Sequence, residues 1–393
     1  MNPLPEKSLS KPLIAFMTFS RWMLATSVRM VYPFLPVLSR GLGVTLEQIS
    51  GALSVRAFAG VIMPLLGSLT DRFGRKNGML IGLSLFIAGN SLVTFVPTFV
   101  AFTVGISISI LGLMLHLTSM QAYISDAVSY EQRGRVLAFL EYGWSLSYIV
   151  AMPLVAGLIA WGGWHAPFPF LAISGVIILL LTIKFLPQGN RVAQPQGAMW
   201  RNFGSVLRSP AALAGLALGL LISASNEVVN LVFGVWMEDA FALKLGALGL
   251  ASTVIGFAEL GGESLTAWLV DRLGKMRAVA IGLILGSLVA IAIPFASTTL
   301  TGALASLFVF YLCFEFTMVS SLPLVSELLP EARATLMGAL FASFSIGRML
   351  GILAAPRLYE QGFIFNVIAS IALNVLAFGA LAVIQRHFRH RGG

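Results

Sequence analysis

The chain has 393 residues, of which 58% are hydrophobic and only 10% charged, with a formal net charge of +9. A water-soluble globule needs more polar surface than this, whereas lipid asks for none, so the composition excludes a soluble globule and points to an integral membrane protein. The basic excess is no nucleic-acid footprint, because Lys and Arg fall mainly in short segments between apolar runs, where they set orientation.

The polar start leads directly into an apolar run that is too long for a signal sequence and lacks a small-residue cleavage site, so it reads as a retained first span. Runs long enough to cross a bilayer core, about 20 residues each, lie at approximately 12–38, 48–70, 77–96, 99–122, 135–159 and 166–186. A second set lies at approximately 211–236, 246–268, 276–297, 302–325, 334–356 and 363–385, which makes twelve. Helices are required, since lipid offers the backbone no partner and the short alternating segments of a β-barrel are absent. The polar connector "PQGNRVAQPQGAMWRNFGSVLRSP" separates the two sets. The expectation is an all-α membrane protein of two pseudo-symmetric six-helix bundles, 1–186 and 211–393, joined by a linker over 187–210. Cys313 is the single cysteine and has no partner for an internal disulfide.

Orientation follows from Lys and Arg. With both termini cytoplasmic, that side receives Arg72, Arg75, Lys76, Arg133, Arg191, Arg201, Arg208, Arg272, Lys275, Arg277, Arg333 and Arg386 among others, and the far side only Arg40, Lys244 and Arg357.

Charge also recurs at a fixed distance. "GSLTDRFGRKNGML" at 67–80 is echoed by "AWLVDRLGKMRAVA" at 267–280, an offset of 271 − 71 = 200 residues. "YEQRGR" at 130–135 and "PEARAT" at 330–335 keep the same offset, setting Glu131 against Glu331 and Arg133 against Arg333. Two coincident repeats indicate an internal duplication. Positive-inside accounts for the basic residues of these loops but not for Asp71 and Asp271.

The loop after the second span, with Gly67, Leu69, Asp71, Arg72, Gly74, Arg75, Lys76 and Leu80, resembles the signature of the major facilitator superfamily, and the resemblance extends over essentially the whole chain. It implies a secondary transporter whose two halves rock about a central site. It also implies a cytoplasmic gate at Gly67, Asp71, Arg72, Gly74, Arg75 and Lys76, echoed by Asp271 and Arg272 and flanked by Glu131, Arg133, Glu331 and Arg333. The proton-driven drug exporters of the superfamily carry an Arg in the fourth helix and a Gly-Pro-x-x-Gly-Gly element in the fifth. Here the fourth span has no Arg, the fifth has only "AMPLVAG", and the first carries Arg21 and Arg29 where many such exporters have an acid.

Ionisable residues at mid-span are costly and mark function by default. Those here are Arg21, Arg29, Arg56 and Glu141 in the first half, and Glu227, Glu259, Glu263, Glu315 and Arg348 in the second. Arginine therefore dominates one half and glutamate the other. A carboxylate left over from pairing escapes its desolvation cost by taking up a proton, which is what proton coupling requires. The expected substrate and proton cavity comprises Arg29, Tyr32, Arg56, Asn226, Glu227, Asn230, Glu259, Glu263, Glu315 and Arg348, and His116 reads as a hydrogen-bonded core residue. The alternative reading makes the glutamates permanent structural partners of the arginines.

No metal cluster, nucleophile–base pair or Walker loop is present, so neither an enzyme nor an ATP-driven pump is indicated. The expected function is proton-coupled efflux of a small organic or amphipathic solute by a monomeric transporter of the inner (plasma) membrane. The proton is its coupling ion, there is no cofactor or metal, and its partners are the solute and the lipid bilayer, not nucleic acid. Import of an anionic metabolite by symport or uniport and a non-transporting membrane sensor stay open as alternatives.

Overall fold

The structure is a computed structural model that describes residues 9–62, 74–128, 130–187 and 198–391. In chain order the helices are α1 (Lys11–Arg29), α2 (Leu35–Leu42), α3 (Leu46–Phe58), α4 (Arg75–Phe95), α5 (Phe99–Ala127), α6 (Tyr130–Leu146), α7 (Met152–Gly162) and α8 (Pro167–Phe185). They continue as α9 (Ala198–Arg208), α10 (Pro210–Asn230), α11 (Phe233–Phe241), α12 (Leu245–Leu273), α13 (Lys275–Ala296), α14 (Leu300–Ser326), α15 (Arg333–Glu360) and α16 (Phe363–Arg391). Four of the helix starts are capped by short polar side chains, at α3, α5, α10 and α14. Thr45 and Gln48 form a reciprocal capping box at α3, Thr98 accepts the Ala101 amide at 3.3 Å, and Thr299 accepts that of Gly302 at 3.1 Å.

Among the described residues, ten stretches are long and apolar enough to cross a membrane. They match the expected third to twelfth spans to within a few residues. The first expected span, 12–38, is not one helix: it breaks after Arg29 and carries Arg21 and Arg29. The second, 48–70, carries Arg56 and runs beyond the described residues after Ile62.

The chain packs as two compact units. Unit 1 is Met1–Val31 with Leu65–Gln194; in it α1 packs on α6 and α8, and α4 packs on α5 and α8. One of its cores gathers Met17, Met79, Met120, Ile124 and Leu140, all nearly or fully buried. Unit 2 is Tyr32–Pro64 with Pro195–Gly393; in it α10 packs on α15 and α16, and α13 packs on α14 and α16. The pairings of unit 1 thus recur in unit 2 among the helices one half-chain later, which is the structural form of the 200-residue repeat. Unit 2 also holds α2 and α3, drawn from the first half of the sequence: α3 lies on α15, and α2 touches α11.

Candidate functional site

Two helices are broken at corresponding places. The first pauses at residues 30–34 between α1 and α2, and the other at residues 231–232 between α10 and α11. Pro33 and Pro36 explain the first break, since proline removes an amide donor and collides with the preceding turn. The second has no proline. Both short continuations end in a left-handed cap, at Gly43 (φ 66°) and at Ala242 (φ 51°). Within unit 2 the breaks touch: a methyl group added to Gly234 would stand 2.4 Å from the Pro33 carbonyl oxygen and 2.6 Å from that of Tyr32. Only glycine lets α11 lie on that backbone.

Beside the breaks sits a buried charge cluster. Glu227, 2% exposed, lies one turn before the end of α10, with Oε2 at 3.5 Å from Arg348 Nε on α15. Its other oxygen, Oε1, has no hydrogen-bond partner of good geometry, although Tyr32 and Asn230 stand close to the carboxylate. Arg56 Nη2 donates to Tyr32 Oη at 3.4 Å, and Tyr32 lies within electrostatic reach of Glu227, Arg56 and Arg348. The Tyr311 hydroxyl donates to Asn230 Oδ1 at 2.9 Å. The approach of α15 that makes this possible runs over Gly347 and Gly351. A methyl at the former would meet the Leu220 carbonyl oxygen at 2.1 Å, and at the latter Glu227 Cβ at 2.7 Å. Arg348 sits between the two, and its side chain stays 37% exposed while Glu227 is enclosed.

Six residues expected in a cavity, Tyr32, Arg56, Asn226, Glu227, Asn230 and Arg348, thus fall in or next to one cluster in unit 2. Asn226 is buried and its Oδ1 has no partner. Glu259 on α12 and Glu315 on α14 are also buried, and Glu263 is partly so. A methyl at Gly262 would meet Glu315 Cβ at 2.7 Å, which places Glu315 on the α12–α14 contact. Arg29 belongs to unit 1 and pairs with aromatic faces: its guanidinium carbon lies 4.1 Å from the ring centre of Trp144 and 4.3 Å from that of Tyr148. The same helix carries a π-turn over Ser147–Ala151, just before Pro153, and the Trp22 indole donates to the Leu146 carbonyl at 3.1 Å. His116 is the core residue expected, 2.8 Å from Ser20 Oγ and 3.3 Å from the Met79 carbonyl.

Of the expected gate, Gly67, Asp71 and Arg72 lie outside the described residues, as do the side chains of Glu131 and Arg133 in the first turns of α6. The described part repeats closely. Gly74 (φ 90°) and Gly274 (φ 81°) each occupy a backbone region that L side chains avoid, immediately before α4 and α13. Arg75 then pairs with Asp126 at 3.1 Å, and Lys275 pairs with Glu327. Lys76 donates to the Ile183 and Leu186 carbonyls at 2.8 and 2.5 Å. Arg272 lies 4.8 Å over the Trp268 ring, Arg333 donates to the Ser326 carbonyl at 3.1 Å, and Asp271 and Glu331 are exposed.

Sequence reasoning missed Asp126 and Glu327, although applying the 200-residue offset to the acid that ends α5 would have led to within one residue of Glu327. It also missed a rim of ion pairs in unit 2. Arg40 holds both oxygens of Glu238 at 2.6 and 3.2 Å, Arg357 holds Glu47 at 2.8 Å, and Tyr359 donates to Asp239 at 2.7 Å. No spacing in the sequence announces contacts between residues 198 or 310 positions apart.

Comparison with known proteins supports the same architecture. The chain is 23% identical over 374 residues to the uncharacterized MFS-type transporter YwfA of Bacillus subtilis, covering 92% of this chain and 88% of that protein. It is 22% identical over 297 residues to the synaptic vesicular amine transporter of Homo sapiens, covering 75% of this chain and 57% of that protein. The solved structure of a D-xylose–proton symporter superposes with a TM-score of 0.77 at 14% identity, over 93% of this chain and 96% of that one. The family model described as Major Facilitator Superfamily matches residues 17–352 and 216–390, which takes in both copies of the repeat, so the chain belongs to that superfamily and is a multi-pass membrane protein of a transporter family.

Proposed function

We propose that the chain is a secondary active transporter that exports small organic or amphipathic solutes in exchange for protons. Its halves, 1–186 and 211–393, move by alternating access about a site built on the Tyr32, Arg56, Glu227 and Arg348 cluster. The Asp71 and Asp271 loops, with Glu131, Arg133, Glu331 and Arg333, gate the cytoplasmic side, where both termini lie. It works as a monomer in the plasma membrane and uses no cofactor beyond the proton.

The observation that carries the reading is Glu227, a carboxylate 2% exposed with one oxygen 3.5 Å from Arg348 Nε and with Tyr32 and Asn230 as its polar neighbours. A buried carboxylate so placed is stabilised either by a proton or by a cationic group brought to it. A relative whose name specifies amine transport agrees with a carboxylate at the site.

The test is paired flux in proteoliposomes, screening a substrate panel with and without a pH gradient. Glu227→Gln mimics the protonated form, so accumulation driven by the gradient should vanish while substrate-for-substrate exchange survives. Undiminished gradient-driven accumulation by this variant would sink proton coupling at Glu227. A second reading, uptake of an anionic metabolite, draws on the 37% exposure of Arg348, whose guanidinium could receive a carboxylate. Under it, Arg348→Gln raises KM for anions alone.

A further inference from the structure

The internal repeat makes each half of the chain a measure of the other, and at one place inside the bundles the two copies differ. In unit 1, Phe86 of α4 is fully buried against α5 and α8: a methyl at Gly112 would meet its backbone nitrogen at 2.5 Å, and one at Gly175 its ring at 3.1 Å. In unit 2 the same helix pairing returns, with Gly282 of α13 set against Thr317 of α14 as Gly82 is set against His116. At the offset of 286 − 86 = 200 residues, however, stands Gly286, where an added methyl would find its nearest neighbour, Cys313 Cβ, at 3.6 Å. The volume that a ring fills in unit 1 has no side chain to fill it in unit 2.

A cavity lies beside Gly286, with Phe310 as an apolar wall and with Ser225, Asn226, Thr317 and Asn374 as its polar lining. Asn226 is 8% exposed, and its Oδ1 accepts no hydrogen bond from the protein. In unit 1 its place is taken by Thr26, whose hydroxyl donates to the Trp22 carbonyl at 2.8 Å, so the filled copy is also the satisfied one. The Ser225 and Thr317 hydroxyls donate to the Ser370 and Cys313 carbonyls at 2.9 and 2.6 Å, which leaves each with lone pairs only. Asn374 Nδ2 donates to Ser287 Oγ at 3.2 Å and has a second hydrogen to give. The lining therefore calls for a small molecule that donates twice and accepts. Within the cavity the centre of a water-sized molecule has about 20 Å³ to occupy, enough for one water and too little for a larger solute.

We infer that unit 2 holds a buried water site in the place of the Phe86 ring. One water, donating to Asn226 Oδ1 and to the Ser225 or Thr317 hydroxyl and accepting from Asn374, forms part of the packing of α10 on α13, α14 and α16. A water can be released and retaken as helices shift, whereas a ring in the same place cannot. The site thereby makes α10, the helix that carries Glu227, more adjustable than its counterpart α1. On the transport reading, filling the site slows turnover while the charge cluster keeps all its members.

The test is radiolytic footprinting of the full-length protein in lipid nanodiscs, read by mass spectrometry. Hydroxyl radicals formed from a bound water oxidise the side chains around it even where bulk solvent does not reach. Phe310 and Phe86 are 3% and 0% exposed, so similar interiors would leave both unreactive. The expected result is oxidation of Phe310 about tenfold faster than that of Phe86, as a water bound beside only one of them requires. Gly286→Leu occupies the cavity and should bring Phe310 down to the Phe86 rate. Gly286→Ala, whose methyl meets nothing closer than 3.6 Å, preserves the fold if leucine does not and should lower the rate severalfold. Equal rates at Phe310 and Phe86 in the unsubstituted protein, or a Phe310 rate that neither substitution lowers, overturns the proposal. So does an unfolding midpoint raised by sodium but not by potassium and made insensitive to sodium by Asn226→Leu, because the site would then hold a cation. Neither measurement needs a substrate, so their failure is distinct from failure of the transport reading.

Discussion

At the scale of single residues, what decides the cost of a buried charge is how much of it can return to water. Arg21 is paired with Glu141 in unit 1, and its Nε and Nη1 are buried without a partner. Its side chain is 9% exposed against 41% for Glu141. Removing one member of a buried pair strands the other, at a cost of about 3–5 kcal/mol when both are enclosed. Here the asymmetry predicts that Glu141→Gln, which strands the enclosed arginine, destabilises more than Arg21→Gln, which leaves a half-exposed carboxylate free to hydrate. Thermal unfolding in detergent checks the order, and equal shifts would contradict it. The sequence made both residues legible as mid-span charges, and it singled out the residues of the Glu227 cluster because polar groups there violate the apolar pattern. It could not say that Arg29 would lie against the faces of Trp144 and Tyr148, because an aromatic partner disturbs no pattern.

Among the elements, the broken helices carry the most consequence. Pro33 and Pro36 account for the first break, whereas the break after Asn230 contains no proline and leaves no such mark in composition. The third to twelfth spans were legible to within a few residues because lipid imposes their length. Gly234 is where the two breaks meet, and the atoms in its way are the backbone carbonyls of Tyr32 and Pro33. Backbone cannot swing aside as a side chain can, so Gly234→Ala should push α11 off the first break, with a destabilisation of about 1–3 kcal/mol. The α2–α11 rim should open with it. Chemical cross-linking of Arg40→Cys with Glu238→Cys, in a Cys313→Ser background, should therefore fall sharply when Gly234→Ala is added. Gly246→Ala, where nothing lies within 4 Å of the added carbon, should leave the yield unchanged.

For the whole molecule, the duplication read from two loops recurs in helix pairings, in left-handed glycines and in ion pairs. The grouping of residues 32–64 with unit 2 was not readable, because it depends on contacts between distant parts of the chain. The paired braces Arg75–Asp126 and Lys275–Glu327 each lie inside one unit, with carboxylates 46% and 43% exposed. Exposed pairs of this kind contribute at most about 1 kcal/mol to stability, so Asp126→Asn and Glu327→Gln should each lower the unfolding midpoint only slightly. The same energy is large for an equilibrium between transport states, where about 1.4 kcal/mol is a tenfold change in population. Each variant should therefore change turnover more visibly than stability. Because the pairs share no partner, their stability effects should add in the double variant to within about 0.5 kcal/mol. If each brace only stiffens its own unit, the turnover effects should multiply as well. A double variant restored toward wild-type turnover would mean instead that the two braces oppose each other across the conformational change, each favouring a different state, and independent stiffening would be the wrong account.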